Sequence, residues 1–288
     1  MRTTGKRPVT MLLAAILAVW TLMPIYWILN MSFMHNRELI AVPTHVYPHQ
    51  PTLSNYVRLF GGTAAGPTGE KLLPIGQGPQ IRQGLVNSLV VAAWTSLATL
   101  LIALPAAYCF GRLDFRGKTP LLFAIIASRS YPPLAVMIPF YAFFQAVGLH
   151  GTRTGLVIIN LTATVPTVVW IMSGYFGSLP ATLERAARID GLTRLQAFTR
   201  VILPLARPGV VAGALLSFLM SWNEFAFAWV LTAGSKAVTF PPALSTMFFQ
   251  ISWPAEMAAA SVIGLLPAAL LGYLFQKRMQ TLNIVDPL

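Results

Sequence analysis

Residues 179–208 read LPATLERAARIDGLTRLQAFTRVILPLARP. The stretch is polar and interrupts a chain that is otherwise apolar. It holds Arg185, Arg188, Arg194, Arg200 and Arg207 together with Glu184 and Asp190. The whole chain of 288 residues is 56% hydrophobic and 10% charged, with mean hydropathy +0.66. Soluble domains are about a quarter charged. Side chains charged at neutral pH are costly inside hydrocarbon, so a segment this polar between two apolar runs belongs at a membrane surface.

Six apolar runs surround it: 9–33, 84–110, 119–147, 154–177, 208–233 and 257–276. At about 1.5 Å rise per residue each is long enough to cross about 30 Å of hydrocarbon, some with tilt. The acidic and basic residues inside them are Arg129 in the third and Glu224 in the fifth. These lengths predict an all-α, polytopic membrane protein of six transmembrane helices, one domain over 1–288, with an outside loop at 34–83. The first run contains Pro24 and has no A-x-A cleavage site close behind it, so it reads as a retained helix.

The formal net charge is +12. Its placement excludes a nucleic-acid surface. Arg2, Lys6 and Arg7 precede the first run, and Arg112, Arg116 and Lys118 separate the second from the third. The five arginines of 179–208 separate the fourth from the fifth, and Lys277 and Arg278 follow the sixth. The opposite side has Arg37, Arg58, Lys71, Arg82, Arg153 and Lys236, four of them spread over one long loop. Positive residues accumulate on the cytoplasmic side, which predicts cytoplasmic termini and a cytoplasmic 179–208.

Cys109 is the single cysteine, so no intrachain disulfide can form. His35, His45, His49 and His150 all fall in outside loops. Pro43, Pro48 and Pro51 argue against a helix presenting His45 and His49 together, so these read as solvated loop histidines and no metal site is expected. The loop itself predicts a short surface helix over 52–60 and an irregular Gly/Pro-rich stretch at 61–80. A second outside loop, 234–256, carries Trp253 and has a similar texture. Gly111–Thr119 reads GRLDFRGKT, which has five residues where a phosphate-cradling loop needs four, and no strand precedes it. No nucleotide site and no catalytic constellation is expected on this chain.

Within 179–208 the local chemistry predicts two short helices and a turn. Pro180 suits a helix start, where a missing N–H costs nothing. Ala186 and Ala187 are strong helix formers, and Gly191 is placed as the C-terminal cap. Thr193 can cap the next helix, along which Leu195, Phe198, Val201 and Ile202 recur on one face until Pro204 and Pro208 end it. Small residues on the first helix permit close approach by a partner.

Arg129 lies near mid-depth of its run, and Glu224 lies towards the outer end of its own. They can pair with each other, face a polar cavity, or pin helices together. Tyr131 follows Arg129, and Trp222, Asn223 and Phe225 flank Glu224. Aromatic rings beside hydrogen-bonding groups suit a neutral polyhydroxyl solute. Pro132, Pro133 and Pro139 predict a break or kink in the third span.

The run Leu183, Glu184, Ala186, Ala187, Asp190, Gly191, then Leu203 and Pro204, resembles the EAA motif of binding-protein-dependent ABC importer permeases. It is similar in particular to the carbohydrate-uptake branch, which holds the smaller maltose-permease subunit. Residues 87–118, 129–149 and 221–232 look like segments in the same order in that branch, so the resemblance covers nearly the whole chain. It implies a type I ABC importer permease architecture and a coupling segment, 179–208, that seats on a cytoplasmic ATPase. The residues it marks for that contact are Glu184, Arg185, Ala186, Ala187, Asp190, Gly191, Phe198 and Pro204. It further implies a second homologous permease subunit as heterodimer partner, two ATPase subunits carrying ATP and Mg, and an external solute-binding protein. The chain itself would bind no cofactor and would sit in the cytoplasmic (inner) membrane of a bacterium or archaeon. Arg185 stands where the branch has a second Glu, the residues 281–288, TLNIVDPL, lack its Gly-rich tail, and the loop at 61–80 is longer. Glycerol or glycerol phosphate is an alternative cargo. A stand-alone secondary transporter is the reading from another class, against which stand the absence of an internal repeat and the presence of a coupling-type segment.

Overall fold

The computed structural model describes residues 7–43, 45–250 and 254–280. Among these residues the fold is all-α apart from one two-stranded ribbon. The first long helix, α1 (Arg7–Ser32), is followed by the short α2 (Asn36–Leu39) and α3 (Ser54–Leu59) and by strands β1 (Ala64–Ala65) and β2 (Lys71–Leu72). Then come α4 (Gly78–Arg112), α5 (Lys118–Ala127), α6 (Pro133–Ala146) and α7 (Arg153–Ser178). The polar stretch forms α8 (Ala181–Ile189), α9 (Arg194–Ala197), a π turn (Phe198–Ile202) and α10 (Leu203–Leu205). The chain continues through α11 (Arg207–Trp222), α12 (Ala226–Thr232), α13 (Phe240–Gln250) and α14 (Pro254–Gln280).

Among the described residues, four helices are long and apolar enough to cross a membrane without interruption: Val9–Ser32, Gly78–Arg112, Arg153–Ser178 and Pro254–Gln276. The third expected run, 119–147, is instead two shorter apolar helices, α5 and α6. The break at 128–132 has a local cause. A residue before proline is pushed out of the helical region, while Pro133 is tolerated in the first turn of a new helix. The fifth run, 208–233, is also interrupted: α11 stops at Trp222 and α12 starts at Ala226. Trp253 and residues 281–288 lie outside the described residues.

The chain divides into two compact units, Met1–Arg82 with Ala243–Pro267, and Gln83–Pro242 with Ala268–Leu288. In the first unit the organising contact is ionic. Glu256, 1% exposed in the first turn of α14, accepts from Arg58 Nη1 of α3 at 2.5 Å and from Asn36 Nδ2 of α2 at 2.7 Å. Asn36 Oδ1 in turn accepts from the Ala255 amide at 3.1 Å, so one asparagine closes the start of α14 onto α2. Asn55 of α3 donates to the carbonyls of Ser32 and Met34, both at 2.9 Å.

The 61–80 stretch, expected to be irregular, contains the ribbon: Ala64 pairs with Leu72 and Ala65 with Lys71. Its turn is closed by Glu70, whose carboxylate accepts from both the hydroxyl and the amide of Thr68. The Thr68 hydroxyl first, then the backbone amides of Glu70 and Thr68, hold the Glu70 carboxyl below the usual carboxylate range. A turn built from one acidic side chain and a left-handed Gly69 (φ +82°) gives no hydrophobic alternation to read in the sequence.

The second unit is a helical core. Ala103, Ala107 and Tyr108 of α4, Val168, Met172 and Phe176 of α7, and Phe198, Ile202 and Ala206 of the polar stretch are buried together. A Cβ at Gly111 would lie 2.6 Å from the Ser173 carbonyl oxygen and 2.9 Å from Phe176 Cβ, so the α4 and α7 backbones meet there in near contact. Gly111→Ala is therefore expected to destabilise the second unit by about 1–3 kcal/mol through overpacking, read as a lower unfolding midpoint in detergent.

A seam of hydrogen-bonded side chains joins α4, α7 and α11. The hydroxyls of Thr99 and Thr164 are 2.7 Å apart, Asn160 Nδ2 donates to Ser221 Oγ at 2.8 Å, and Ser217 Oγ donates to Ser96 Oγ at 3.1 Å. All six residues are buried. In an apolar surrounding, each pair locks a relative position of two helices at about 1 kcal/mol.

Candidate functional site

The polar stretch folds by the signals expected of it up to Ala197. Pro180 precedes the first turn of α8, and Gly191 ends it in the left-handed region at φ +87°. Thr193 Oγ1 accepts from the Gln196 amide at 3.3 Å while Gln196 Oε1 accepts from the Thr193 amide at 2.9 Å, a reciprocal capping box. Beyond that point the structure differs from expectation. Pro204 sits inside the last turn, and the helix ends one residue later, at Leu205, ahead of Pro208 in the first turn of α11. The helix opens into the π turn Phe198–Ile202 and continues through Pro204 to Leu205. A proline lacks the N–H of an α turn and its ring collides with the carbonyl four residues back. The wider π turn ahead of it removes that conflict. The chain then bends by 80° between Arg194–Leu205 and Arg207–Trp222.

Of the eight residues marked for partner contact, four are exposed, three turn inward and one is half-buried. Arg185, Ala186, Asp190 and Gly191 are exposed, in company with Ile189 at 86% and Leu195 at 70%. Glu184, Ala187 and Phe198 turn inward. Ala187 and Phe198 are each 6% exposed, and the Phe198 ring centroid lies 4.7 Å from that of Tyr108 and 6.1 Å from that of Phe176. Pro204 is half-buried.

Glu184 is the node of this inward face. Its Oε1 accepts from the Tyr108 hydroxyl at 2.6 Å, and its Oε2 lies 3.6 Å from Arg112 Nε. Arg112 also donates through Nη1 to the Leu179 carbonyl at 2.8 Å and through Nη2 to the Pro180 carbonyl at 3.2 Å. Those carbonyls sit at the joint between α7 and α8. One arginine at the end of α4 therefore holds both the start of α8 and its only carboxylate. The Glu184 side chain is 16% exposed and that of Arg112 6%. The carboxylate is occupied within its own chain.

The six candidate pathway residues lie at the two breaks. Arg129 is exposed in the 128–132 break and makes no ion pair among those formed by the described residues. Tyr131 donates its hydroxyl to Thr162 Oγ1 of α7 at 3.1 Å. Trp222 is 3% exposed and stacks on Phe218 and Phe240 at 6.0 and 6.3 Å. Asn223 donates to the Leu219 carbonyl at 2.9 Å, and Phe225 is exposed beside Trp229. Glu224 accepts from the amides of Phe227 at 2.8 Å and Ala228 at 2.9 Å. Its carboxylate caps the first turn of α12, where the orphan N–H groups need acceptors. Arg129 and Glu224 are thus not partners here. Both breaks are nevertheless tied to one turn of α7, Tyr131 through Thr162 and the end of α11 through Asn160 and Ser221.

Sequence reasoning did not find the Tyr108–Glu184–Arg112 node or the seam. The signal for the seam was present as a row of small polar residues in α4, Asn87, Ser88, Thr95, Ser96 and Thr99, at helical spacing. Asn87 shows what such a residue does. Its Nδ2 donates to the carbonyls of Lys236 and Val238, and its Oδ1 accepts from Gln83 and Arg153, so every polar site of the buried amide is used.

Residues 100–281 match the family described as binding-protein-dependent transport system inner membrane component. A sulfoquinovosyl glycerol transport system permease of Agrobacterium fabrum is 32% identical over 278 residues, covering 96% of this chain and 91% of that one. A trehalose/maltose transport system permease of Thermococcus litoralis is 30% identical over 275 residues, covering 94% and 93%. Among solved structures, a chain of a bacterial ABC transporter involved in the import of the acidic polysaccharide alginate superposes with TM-score 0.78 at 23% identity. That likeness covers 96% of this chain and 98% of that one, and it is a likeness of fold. With the length of these matches and the fold in agreement, the chain belongs to the inner membrane components of binding-protein-dependent transport systems, the permeases of ABC importers.

Proposed function

We propose that this permease forms half of the pathway by which a polyhydroxyl solute, a sugar or polyol, is imported at the expense of ATP hydrolysed on a separate subunit. The observation that carries the coupling part is the two-sided build of 179–208. One side is bolted to α4 by Tyr108 and Arg112, while the other presents Ile189, Leu195 and Ala186 to solvent beside Arg185 and Asp190. Exposed apolar side chains in the most polar segment of a membrane protein support a docking surface for a partner. A cytoplasmic ATPase dimer carrying ATP and Mg is the partner we assign to it. A homologous permease subunit and an external binding protein complete the assembly. In the topology we assign, α5 with α6 and α11 with α12 each make one broken span, giving six spans with cytoplasmic termini. We assign Arg129, Tyr131, Trp222, Asn223, Glu224 and Phe225, which lie at these breaks, to the path. The two relatives named above carry a sulfoquinovosyl glycerol and a trehalose/maltose label, which supports a polyhydroxyl cargo.

Gly191 provides the test. A Cβ there would meet nothing within 4 Å in this chain, so within the permease a substitution acts through backbone strain. An L-residue in the left-handed region costs about 1–2 kcal/mol, and more when β-branched. In the reconstituted importer, Gly191→Val is expected to lower binding-protein-stimulated ATPase activity and transport at least tenfold, with insertion and subunit assembly intact. Gly191→Asn, which tolerates that conformation, is expected to keep most of both. Transport by the valine variant at the wild-type rate would overturn the docking role.

A further inference from the structure

Glu38, His45 and His49 lie in one loop region of the first unit, beside the end of α1. One ligand atom from each falls within 4.8 Å of the other two. The Nδ1 atoms of His45 and His49 are 2.8 Å apart, and His45 Nδ1 is 3.8 Å from Glu38 Oε2. No helix presents the histidines. The segment that carries them is bound instead to α1: Tyr26 and Asn30 both donate to the Val46 carbonyl, and the Thr52 amide donates to the Phe33 carbonyl at 2.9 Å. Glu38 is held in place from behind, because its Oε2 also accepts from the His49 amide at 2.9 Å.

We propose that these three side chains bind one divalent transition-metal ion of the zinc class. Two imidazole nitrogens and a carboxylate oxygen are a ligand set for zinc and its neighbours, with solvent free to complete the shell. A tetrahedral ion with bonds of about 2.1 Å sets its ligand atoms about 3.4 Å apart, a spacing that the 2.8 and 3.8 Å separations bracket. Shifts of about half an ångström in the His45 ring and the exposed His49 ring close the difference. Without an ion the cluster is poorly satisfied. A single shared proton can join the two Nδ1 atoms as an N–H···N bond, but it does nothing for the carboxylate. Glu38 Oε1 is screened from solvent and has no hydrogen-bond partner among the described residues. A buried acceptor left in that state is costly, and a cation beside the carboxylate removes the cost. The Tyr47 ring lies edge-on to His49 at 5.0 Å and limits how that imidazole can turn. Bound metal would fasten residues 45–49 to α2 and so stiffen the loop that the charge pattern assigns to the outer face. The inference stands on these contacts and does not depend on the cargo or the ATPase.

The experiment uses the full chain without a polyhistidine tag, stripped with EDTA and then dialysed against zinc. Elemental analysis is expected to find one zinc per chain. His49→Gln and Glu38→Gln are each expected to weaken zinc binding at least tenfold, and His45→Gln with His49→Gln to abolish it. Cobalt(II) in place of zinc is expected to give the visible spectrum of a four- or five-coordinate N/O site in the wild type only. Normal circular dichroism and elution of the variants exclude misfolding as the cause. Stripped wild type that takes up no zinc, or a double histidine variant that takes up as much as wild type, overturns the site. Undiminished binding by Glu38→Gln overturns the three-ligand assignment.

Discussion

Glu184→Ala is expected to uncouple the importer and to destabilise the second unit by about 2–4 kcal/mol, since removing one partner of a largely buried pair strands the other charge. The Arg112 side chain is 6% exposed, and its Nε has no hydrogen-bond partner among the described residues even with Glu184 present. Removing the carboxylate takes away the nearest opposing charge and the acceptor of the Tyr108 hydroxyl together. What remains of the α7–α8 joint is two neutral carbonyls, those of Leu179 and Pro180. The α8 surface would still be present but fixed to α4 only at its start, through those two carbonyls. Two measurements separate the effects: a lower thermal midpoint in detergent reports the stranded charge, and loss of binding-protein-stimulated ATPase activity reports the joint. Glu184→Gln keeps an acceptor for Tyr108 and is expected to lose less of both. Arg185→Ala, on the exposed side, is expected to leave the midpoint unchanged. Equal midpoints for Glu184→Ala and the wild type would show that the node carries no load.

Glu256→Gln is expected to cost about 3–5 kcal/mol in the first unit, the usual penalty for breaking a buried ion pair from one end. Arg58 would keep its position, because its Nε donates to the Leu73 carbonyl at 2.7 Å, but its charge would face an amide. The carbonyl oxygen of the new side chain could still accept from Asn36, so the loss isolates the ionic part of the contact. Replacing both partners, Arg58→Met with Glu256→Leu, is expected to recover most of the stability, because two apolar groups leave no charge stranded. The check is the thermal midpoint of the three proteins in the same detergent. A single variant as stable as wild type would contradict it.

What could be read in the sequence follows from how far apart the deciding residues lie. The cap at Thr193 needs Gln196, three residues away, and the stop at Gly191 needs only its own missing Cβ, so both were legible. The apolar runs were legible by length, and Pro132 and Pro133 announced the break they cause. The inward turn of Glu184 was not, because its partners Tyr108 and Arg112 are more than seventy positions earlier and only the packing of α4 on α7 brings them near. The tie between Asn36 and Glu256 spans 220 positions. Pro204 and Pro208 marked the end of the helix, but not the π turn ahead of it, by which the chain admits Pro204 into the last turn. His45 and His49 were rightly excluded from a helix, yet a loop tied down at Val46 and Thr52 gathers them with Glu38 all the same.

The bend of 80° at Ala206 makes a lever of α11. That helix has 16 residues and is about 24 Å long at about 1.5 Å per residue. Turning it about 5° at the bend would carry Trp222 about 2 Å, more than the length tolerance of any hydrogen bond. Ser217 and Ser221, which join the seam to α4 and α7, lie on the far half of that arm. A rotation delivered at the bend therefore has two outcomes only: the three helices swing as one piece, or the seam opens from the Ser221 end first.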